Sequence, residues 1–517
     1  MVVGRPFTGE LRAGSPSVDG KVMTETLMIE TKAGQPPIAI LGVPFDNLTT
    51  AEAIELVGRM VASRQPHYLV TANVDFLVQA QEDVELRRIL FDAHVVLCDG
   101  TPLVWASRWL GNPLPERVAG SDLVPLLLRV AEERQFRIFL LGATPESAAQ
   151  AVANLRTRHP KLPSVGFYSP PFNKLLEMDH EEITRRIREA KPDLLFVSFG
   201  CPKQEKWIAM HYRTLGVPVC VGVGATIDFL AGQVRRAPRW MQRTGTEWIF
   251  RLLQEPRRLF ARYAKGVWVF GLGIVSQWWN LQFRSPKIPA RVSAPVQAEA
   301  TWQCVKLPPR FDTLAARNDA LLVDQVLADG RDCLLDLSGV EFVDSTGVGL
   351  LIRLQKKIRA SGRQLVLLQP SQNVQQALRL MHLHNFFATA PDIAAARELI
   401  AARLREASSP AHPRVAAAFN PLVWQGEITA ANAEVVWRRT EAHVRSLAAA
   451  RREAIIDLAA VRFMDSTGAG LMMRARKLAQ REGCRLAFTN APEEVRNVLR
   501  LARLEEFVLE PTAAAPA

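Results

Sequence analysis

One stretch of this chain is written twice, and that duplication sets how many cores it must build. Leu334–Phe386 aligns without gaps with Ile455–Phe507, so that Asp344 falls on Asp465. One copy begins LLDLSGVEFVDSTGVGLL and the other IIDLAAVRFMDSTGAGLM. Later positions agree as well: Gly362 with Gly483, Leu365 with Leu486, and LRL at 378–380 with LRL at 499–501. Two copies are too few to stack as a solenoid, so each has to close its own core. The pattern predicts strand, DSTG turn, helix, strand, helix in each, as domains over 301–407 and 416–512 joined through Ser408–Val415. The remainder of the 517 residues needs at least one further domain.

That further domain alternates short apolar runs with amphipathic stretches. Candidate strands are Ile38–Gly42, Tyr68–Ala72, Val95–Cys98, Arg137–Gly142, Leu194–Phe199 and Val217–Gly222. Between them, Thr50–Ser63, Asp122–Arg134, Pro145–Arg158 and Pro202–Thr214 carry the helical period. Such alternation predicts a Rossmann-like α/β/α domain over 37–234, its mostly parallel sheet covered by helices on both faces. Residues 1–36, mixed in charge and without a long apolar core, read as a disordered leader rather than a signal peptide. A basic, aromatic segment follows at 235–284, and a Pro/Ala-rich linker at 285–300. Ligands of such sheets bind beyond the carboxyl ends of the strands. Thr71 and Asn73, Asp99, Gly142 and the residues from Gly200 onward fall there.

Bulk composition narrows the class. A hydrophobic fraction of 48% with 22% charged residues suits globular domains. The formal net charge of +12 favours an anionic partner: lipid head groups, nucleic acid or diphosphates. The basic residues cluster beside tryptophans and no recognised nucleic-acid motif occurs, so lipid and diphosphate fit better than nucleic acid. The six cysteines are scattered, without a CxxC pair or zinc-like spacing, as expected of reduced thiols in a cytosolic protein. Gly266–Phe283 contains no charged residue, but it includes Ser276, Gln277, Asn280 and Gln282, and its three tryptophans suit a head-group boundary. Interfacial docking is the expectation there, in preference to spanning.

The sharpest local signals are LVTANVDF (69–76) and LCDGTPLVW (97–105), each placing small and polar residues where an apolar strand ends. Asp99, followed by Gly100, can act from such a position as a general base. Taken alone, it can equally cap the helix beginning near Pro102, and Thr71 and Asn73 can be turn and cap residues. ERVAGSD (116–122), FVSFGCPKQEKWI (196–208), GVGATIDFLAG (222–232) and RRAPRW…EWIFRLLQEPRRLFARY (235–263) follow in order. Together the six motifs resemble the WecG/TagA/CpsF glycosyltransferase family over essentially all of residues 38–265.

The resemblance implies inverting transfer of a sugar from a UDP-sugar to a polyprenyl-diphosphate-linked acceptor, with no metal and no cofactor beyond the donor. Asp99 then corresponds to the base that deprotonates the acceptor hydroxyl. Thr71 and Asn73 correspond to the polar pair lining the acceptor or sugar side, and Arg117 and Gln204 complete the pocket. All five are the residue types the family expects. The residues agree with this independently, since no Asp-x-Asp motif occurs anywhere in the chain. Cationic side chains or helix N-termini must then neutralise the departing diphosphate. Segment 235–265 supplies nine Arg and Lys against Glu247 and Glu255. Arg251 and Arg257 are the leading phosphate ligands, with Arg258 beside them. The aromatic residues among them make a basic amphipathic surface for an anionic membrane, and the alternative is a merely solvated basic face. Glycine turns at Gly142, and at Gly222 and Gly224, suit the nucleotide, although glycine also serves turns that bind nothing. Asp228 can bind the nucleoside or support its turn.

Both repeats resemble STAS domains, the fold of anti-sigma-factor antagonists, through Asp344-Ser345-Thr346-Gly347 and Asp465-Ser466-Thr467-Gly468. By that resemblance Thr346 and Thr467 are the phosphosites, and an anti-sigma or kinase-type protein is a partner. The plainer reading is that DSTG is a helix cap and the domains are fixed scaffolds. The expected protein is a glycosyltransferase for surface polysaccharide, peripherally attached to the inner face of the cell membrane, with STAS domains that recruit or tune it. The alternative is a non-catalytic nucleotide-sugar sensor that signals through the repeats. Exposed sheet edges leave room for a homo-oligomer.

Overall fold

In a computed structural model of the protein, the described residues are 36–233, 237–238, 240–241, 246–254, 256–283, 297–298, 302–312, 326, 330–381, 383, 386–408, 421–450, 452–501 and 504–505. The expected leader, all but Pro36, lies outside them. So do Ser285–Val296 of the linker and most of the joint between the repeats.

The first element departs from expectation. Instead of joining the main sheet, β1 (Ile38–Ile40) pairs antiparallel with β2 (Val43–Phe45) in a separate hairpin. Leu41 and Gly42 both take positive φ at its tip, the geometry of a two-residue hairpin turn. A Cβ at Gly42 would collide with the Met381 carbonyl, so the turn needs glycine for space as well.

The main sheet is parallel throughout. Its strands are β3 (His67–Ala72), β4 (Val95–Cys98), β5 (Ile138–Gly142), β6 (Val165–Tyr168), β7 (Leu194–Ser198) and β8 (Val219–Gly222), in the order β4–β3–β8–β7–β5–β6. Strand β6 had no signal in the sequence. It lies at the sheet edge, partly exposed, so its short Val-Gly-Phe-Tyr segment lacks an apolar run.

Helices cover both faces. On one, α2 (Val74–Glu82), α3 (Val84–Asp92), α4 (Thr101–Trp109), α7 (His180–Ala190) and α8 (Lys203–His211) bury Leu77, Leu86, Leu103, Ile183 and Trp207 against the sheet. On the other, α1 (Thr50–Ser63), α5 (Gly120–Arg134), α6 (Pro145–Arg158) and α9 (Thr226–Ala231) bury Leu56, Leu127, Ala151 and Ile227. Local chemistry sets several starts. Thr49 and Glu52 form a complete capping box at α1, and Thr144 caps α6 ahead of Pro145.

Beyond the sheet, α10 (Glu247–Gln254) and α11 (Pro256–Phe283) form the appendage. Among the described residues no helix is long and apolar enough to cross a membrane. Helix α11 instead gives one side to protein. Ile274 packs into the core of the first domain, and the buried Gln277 side chain makes three bonds. Its Oε1 accepts from Leu41 N–H at 3.0 Å, and its Nε2 donates to the Ala39 carbonyl at 2.9 Å and to Ser345 Oγ at 2.7 Å. The opposite side leaves Trp268, Leu272, Val275 and Trp279 exposed.

The repeats share a parallel arrangement. In the first, β9 (Gln297–Ala298), β10 (Trp302–Lys306), β12 (Asp332–Asp336), β14 (Leu365–Leu368) and β15 (Ala388–Ala390) lie in the order β15–β14–β12–β10–β9. β9 is antiparallel to β10, so Gln297 and Ala298 of the expected linker extend the sheet. β11 (Arg310–Phe311) pairs with β13 (Phe342–Val343), and helices α12 (Ser345–Ala360), α13 (Gln372–Leu380) and α14 (Ile393–Ser408) complete the unit. In the second, β16 (Leu422–Ile428), β17 (Ala454–Met464) and β18 (Leu486–Thr489) lie in chain order with α15 (Ala433–Ala449), α16 (Ser466–Arg481) and α17 (Glu493–Leu501). The DSTG aspartates are helix caps: Asp344 accepts from the N–H groups of Thr346 and Gly347, and Asp465 from those of Thr467 and Gly468. Thr346 is fully buried, and the Thr467 hydroxyl oxygen is buried without a hydrogen-bond partner.

Candidate active site

Adjacent strands β3 and β8 send their following helices to opposite faces of the sheet. Helix α2 packs with one core and α9 with the other. A crevice opens where neighbouring connections diverge in this way. Thr71 and Asn73 end β3 on one side of that divergence, and Gly222 and Gly224 end β8 on the other. Asp99 follows β4, the other neighbour of β3, and Gly142 closes β5. The strand-tip candidates therefore share one edge of the sheet.

Asp99 is partly exposed, and its N–H donates to the Ala72 carbonyl at 2.9 Å, continuing the β3–β4 ladder by one step. It does not cap the next helix. That cap is Gly100, and α4 has no side-chain cap at all. Asn73 does cap: its Oδ1 accepts from Asp75 N–H at 3.0 Å and Phe76 N–H at 3.4 Å. Thr71 is nearly buried, and a Cβ on Gly120 would come within 3.1 Å of its hydroxyl, so glycine at the start of α5 leaves that hydroxyl its room.

Arg117 joins this edge to the appendage. Its guanidinium bonds Asp122 at 2.6 Å and Glu247 of α10 at 3.1 Å. Burial disfavours its charge, but Asp99 is the largest opposing influence, followed by Asp122 and Glu247, and the balance holds it firmly cationic. Asp99 also bears on Cys98, whose thiol is pushed up to about 12 by burial first and that carboxylate second, so the cysteine is not a thiolate nucleophile. Glu247 had been only one of two acids in a basic segment. Nothing in its local sequence indicates that it reaches Arg117.

Gln204 stands in the first turn of α8, just after β7. It is 3% exposed, and its Oε1 accepts from Gly200 N–H at 3.2 Å and Gly224 N–H at 3.1 Å. Its Nε2 donates to Glu205 at 2.6 Å. The side chain thus ties the turn after β7 to the turn after β8. A Cβ at Gly222 would press on both Gln204 and Glu205, so glycine there makes space for this brace. Asp228 accepts from Ser147 Oγ of α6 at 2.6 Å. Gly142 has φ +99°, and a Cβ there would strike the Ser198 carbonyl.

Of the expected diphosphate ligands, Arg257 is exposed on α11. Arg251 and Arg258 lie in helices, but their side chains fall outside the described residues, as do Arg235, Arg236, Arg239 and Arg243 entirely. Among the described residues no group of three or more His, Cys, Asp or Glu side chains is placed to hold a metal ion.

Nothing in the local sequence marks Glu205 as buried, since it stands among Lys203, Gln204 and Lys206 at the start of α8. Burial pushes its carboxyl up to about 7. A raised folded-state pKa stabilises at low pH, and that contribution is lost as pH rises toward 7. Glu205→Gln is therefore expected to raise the melting midpoint by about 5 °C at pH 8, and by clearly less at pH 5. Equal shifts at both pH values would show that this carboxyl does not titrate in the fold.

Asp99 at a strand tip thus bears electrostatically on Arg117, which in turn ties the appendage to the sheet through Glu247. The profile of the Glycosyl transferase WecG/TagA/CpsF family matches residues 38–284, and that of the STAS domain matches 305–396 and 421–515. The N-acetylglucosaminyldiphosphoundecaprenol N-acetyl-beta-D-mannosaminyltransferases of Staphylococcus aureus strains MW2 and NCTC 8325 are each 31% identical over 235 residues, 45% of this chain and 91% of theirs. The chain belongs to the WecG/TagA/CpsF glycosyltransferase family and carries two STAS domains. Among solved structures, an anti-sigma-factor antagonist (STAS) domain protein from Planctomyces limnophilus is 24% identical, covering 21% of this chain and 97% of its own, with a TM-score of 0.20.

Proposed function

We propose that this enzyme transfers a hexose, N-acetylhexosamine or uronic derivative from a UDP-sugar to a polyprenyl-diphosphate-linked sugar, with inversion, during surface polysaccharide synthesis. The observation that carries the reading is Asp99 at the tip of β4, bearing electrostatically on Arg117, which links to the appendage. In this reading Asp99 takes the proton of the acceptor hydroxyl as that oxygen attacks the anomeric carbon. Thr71 and Asn73 orient the sugar. Gln204 acts indirectly, holding the two glycine turns against which the nucleotide lies. Negative charge growing on the departing UDP is met by the guanidinium groups of the appendage, with Arg251, Arg257 and Arg258 as the leading choices, and no divalent ion is needed. The relatives' names support the acceptor class, since they act on a diphosphoundecaprenol-linked sugar. A mass-spectrometric screen of UDP-sugars against a synthetic lipid-diphosphate acceptor tests the reading. One extended lipid product is expected, and no product with any donor counts against it.

The acceptor's lipid also accounts for the outer side of α11. Trp268 is 70% exposed and Trp279 is 55% exposed. With the basic residues of 235–265 they suit peripheral attachment to an anionic, cytoplasmic membrane face. Replacing Trp268 and Trp279 together by Ser is expected to weaken cosedimentation with phosphatidylglycerol-containing vesicles by about tenfold or more, from the lost apolar burial. Unchanged binding would remove this side of α11 from the membrane contact.

A further inference from the structure

Helix α3 is where the three domains meet. The Phe91 ring lies 4.8 Å from that of Phe386 in the first repeat. The Arg88 guanidinium sits between Phe386 at 5.6 Å and Phe463 of the second repeat at 5.4 Å, and pairs with Glu427 of the second repeat at 3.1 Å. Glu85 reaches the start of α16, where its carboxylate accepts from Ser466 N–H at 2.6 Å and from Ser466 Oγ at 2.7 Å.

The two repeats are held differently. The first shares an apolar core with the catalytic domain, since Ala39 and Phe91 pack among its own buried residues. The second is held chiefly by polar groups. At its centre, Lys206 of α8 lies 2.9 Å from Glu85 and 2.8 Å from Asp83. Two carboxylates face one ammonium in this nearly buried cluster, and the Asp465 carboxyl at the start of α16 is itself pushed up to about 7 by burial first and the Glu85 carboxylate second. The two Ser466 donors offset part of the excess negative charge on Glu85.

Lys206 lies two residues from Gln204 on the same helix. We propose that the second repeat is a cis-acting positioning element for the active site, working through Ser466, Glu85 and Lys206 on helix α8. Trp207 and Ile208 anchor that helix in the core, and Lys206 adds a polar tie on its outer side. The helix spans only nine residues and has no side-chain cap at its N-terminus, and isolated helices of that length are marginal. Its inner side fixes the glycine turns through Gln204, while its outer side is tied by Lys206 to the cluster that Ser466 completes. With the second repeat undocked, water replaces Ser466, Glu85 is free to rotate out, and α8 loses the tie that keeps Gln204 in register. The DSTG edge of this repeat is thereby turned onto its own catalytic domain.

Hydrogen exchange on the full-length protein tests this without knowledge of the substrates. Ser466→Asp sets a carboxylate against Glu85, and Glu427→Lys sets an ammonium against Arg88 and Arg359, undocking the repeat from two separate points. Both are expected to speed exchange in α8 by about tenfold or more, along with the start of α16. Ser466→Thr, which keeps the hydroxyl, is expected to behave as wild type. The kinetic arm rests on the proposed donor, with KM for the UDP-sugar rising about fivefold and kcat nearly unchanged. Failure of that arm alone would point to the wrong donor, because the exchange arm stands apart from it. Freed α16 with unaltered α8, or α16 undisturbed by both charge substitutions, would overturn the proposal.

Discussion

Asp99→Asn is expected to lower turnover by about 10³-fold or more while leaving the melting midpoint within a degree or two of wild type. The amide keeps the shape of the side chain but cannot accept a proton at neutral pH. The fold should tolerate the change because the amide is isosteric with the carboxylate and the backbone bond to Ala72 is untouched. Binding of UDP is expected to persist, since the base acts on the acceptor. Steady-state rates with the lipid-linked acceptor, set beside nucleotide binding, provide the check. Undiminished turnover removes Asp99 from the reaction.

The second large effect is expected at Arg117. Replacing it by Met takes away a guanidinium beside Asp99 and leaves Glu247, 7% exposed, without that ion-pair partner. Breaking a partly buried ion pair from one side is far more damaging than removing both members. The single variant should lose turnover by about 100-fold and should show faster hydrogen exchange in α10. Pairing it with Glu247→Leu separates the two roles. The double variant is expected to recover exchange protection in α10 but not turnover, because the packing is mended while the charge stays absent. Recovery of both would make Arg117 a fastener alone.

The elements most legible in the sequence were those whose ends carry their own chemistry. Thr50–Ser63 and Pro145–Arg158 are found at the expected residues because Thr49 with Glu52, and Thr144 with Pro145, fix the first turn locally. Val95–Cys98 is found as expected because a fully buried strand is one unbroken apolar run. Edge elements were harder, as β6 and the β1–β2 hairpin illustrate. In the site, Asp99 and Thr71 could be placed because strand tips can be read from where apolar runs stop. Gln204 could be named but not understood. Its partners are backbone N–H groups of two glycine turns, which leave no pattern in sequence. The same holds for α3. Arg88, Phe386 and Phe463 come together from three domains, and nothing in the period of any one helix reports it.

The central claim is that a carboxylate at a strand tip and the arginines of a basic appendage transfer a sugar to a lipid diphosphate without a divalent ion. UDP release by the full-length enzyme, with and without a polyprenyl-diphosphate-linked sugar and in the presence of a chelator, tests it most directly. The account predicts release that depends on the lipid acceptor and is unaffected by the chelator. Release that needs no acceptor, or that stops when divalent ions are removed, would contradict it.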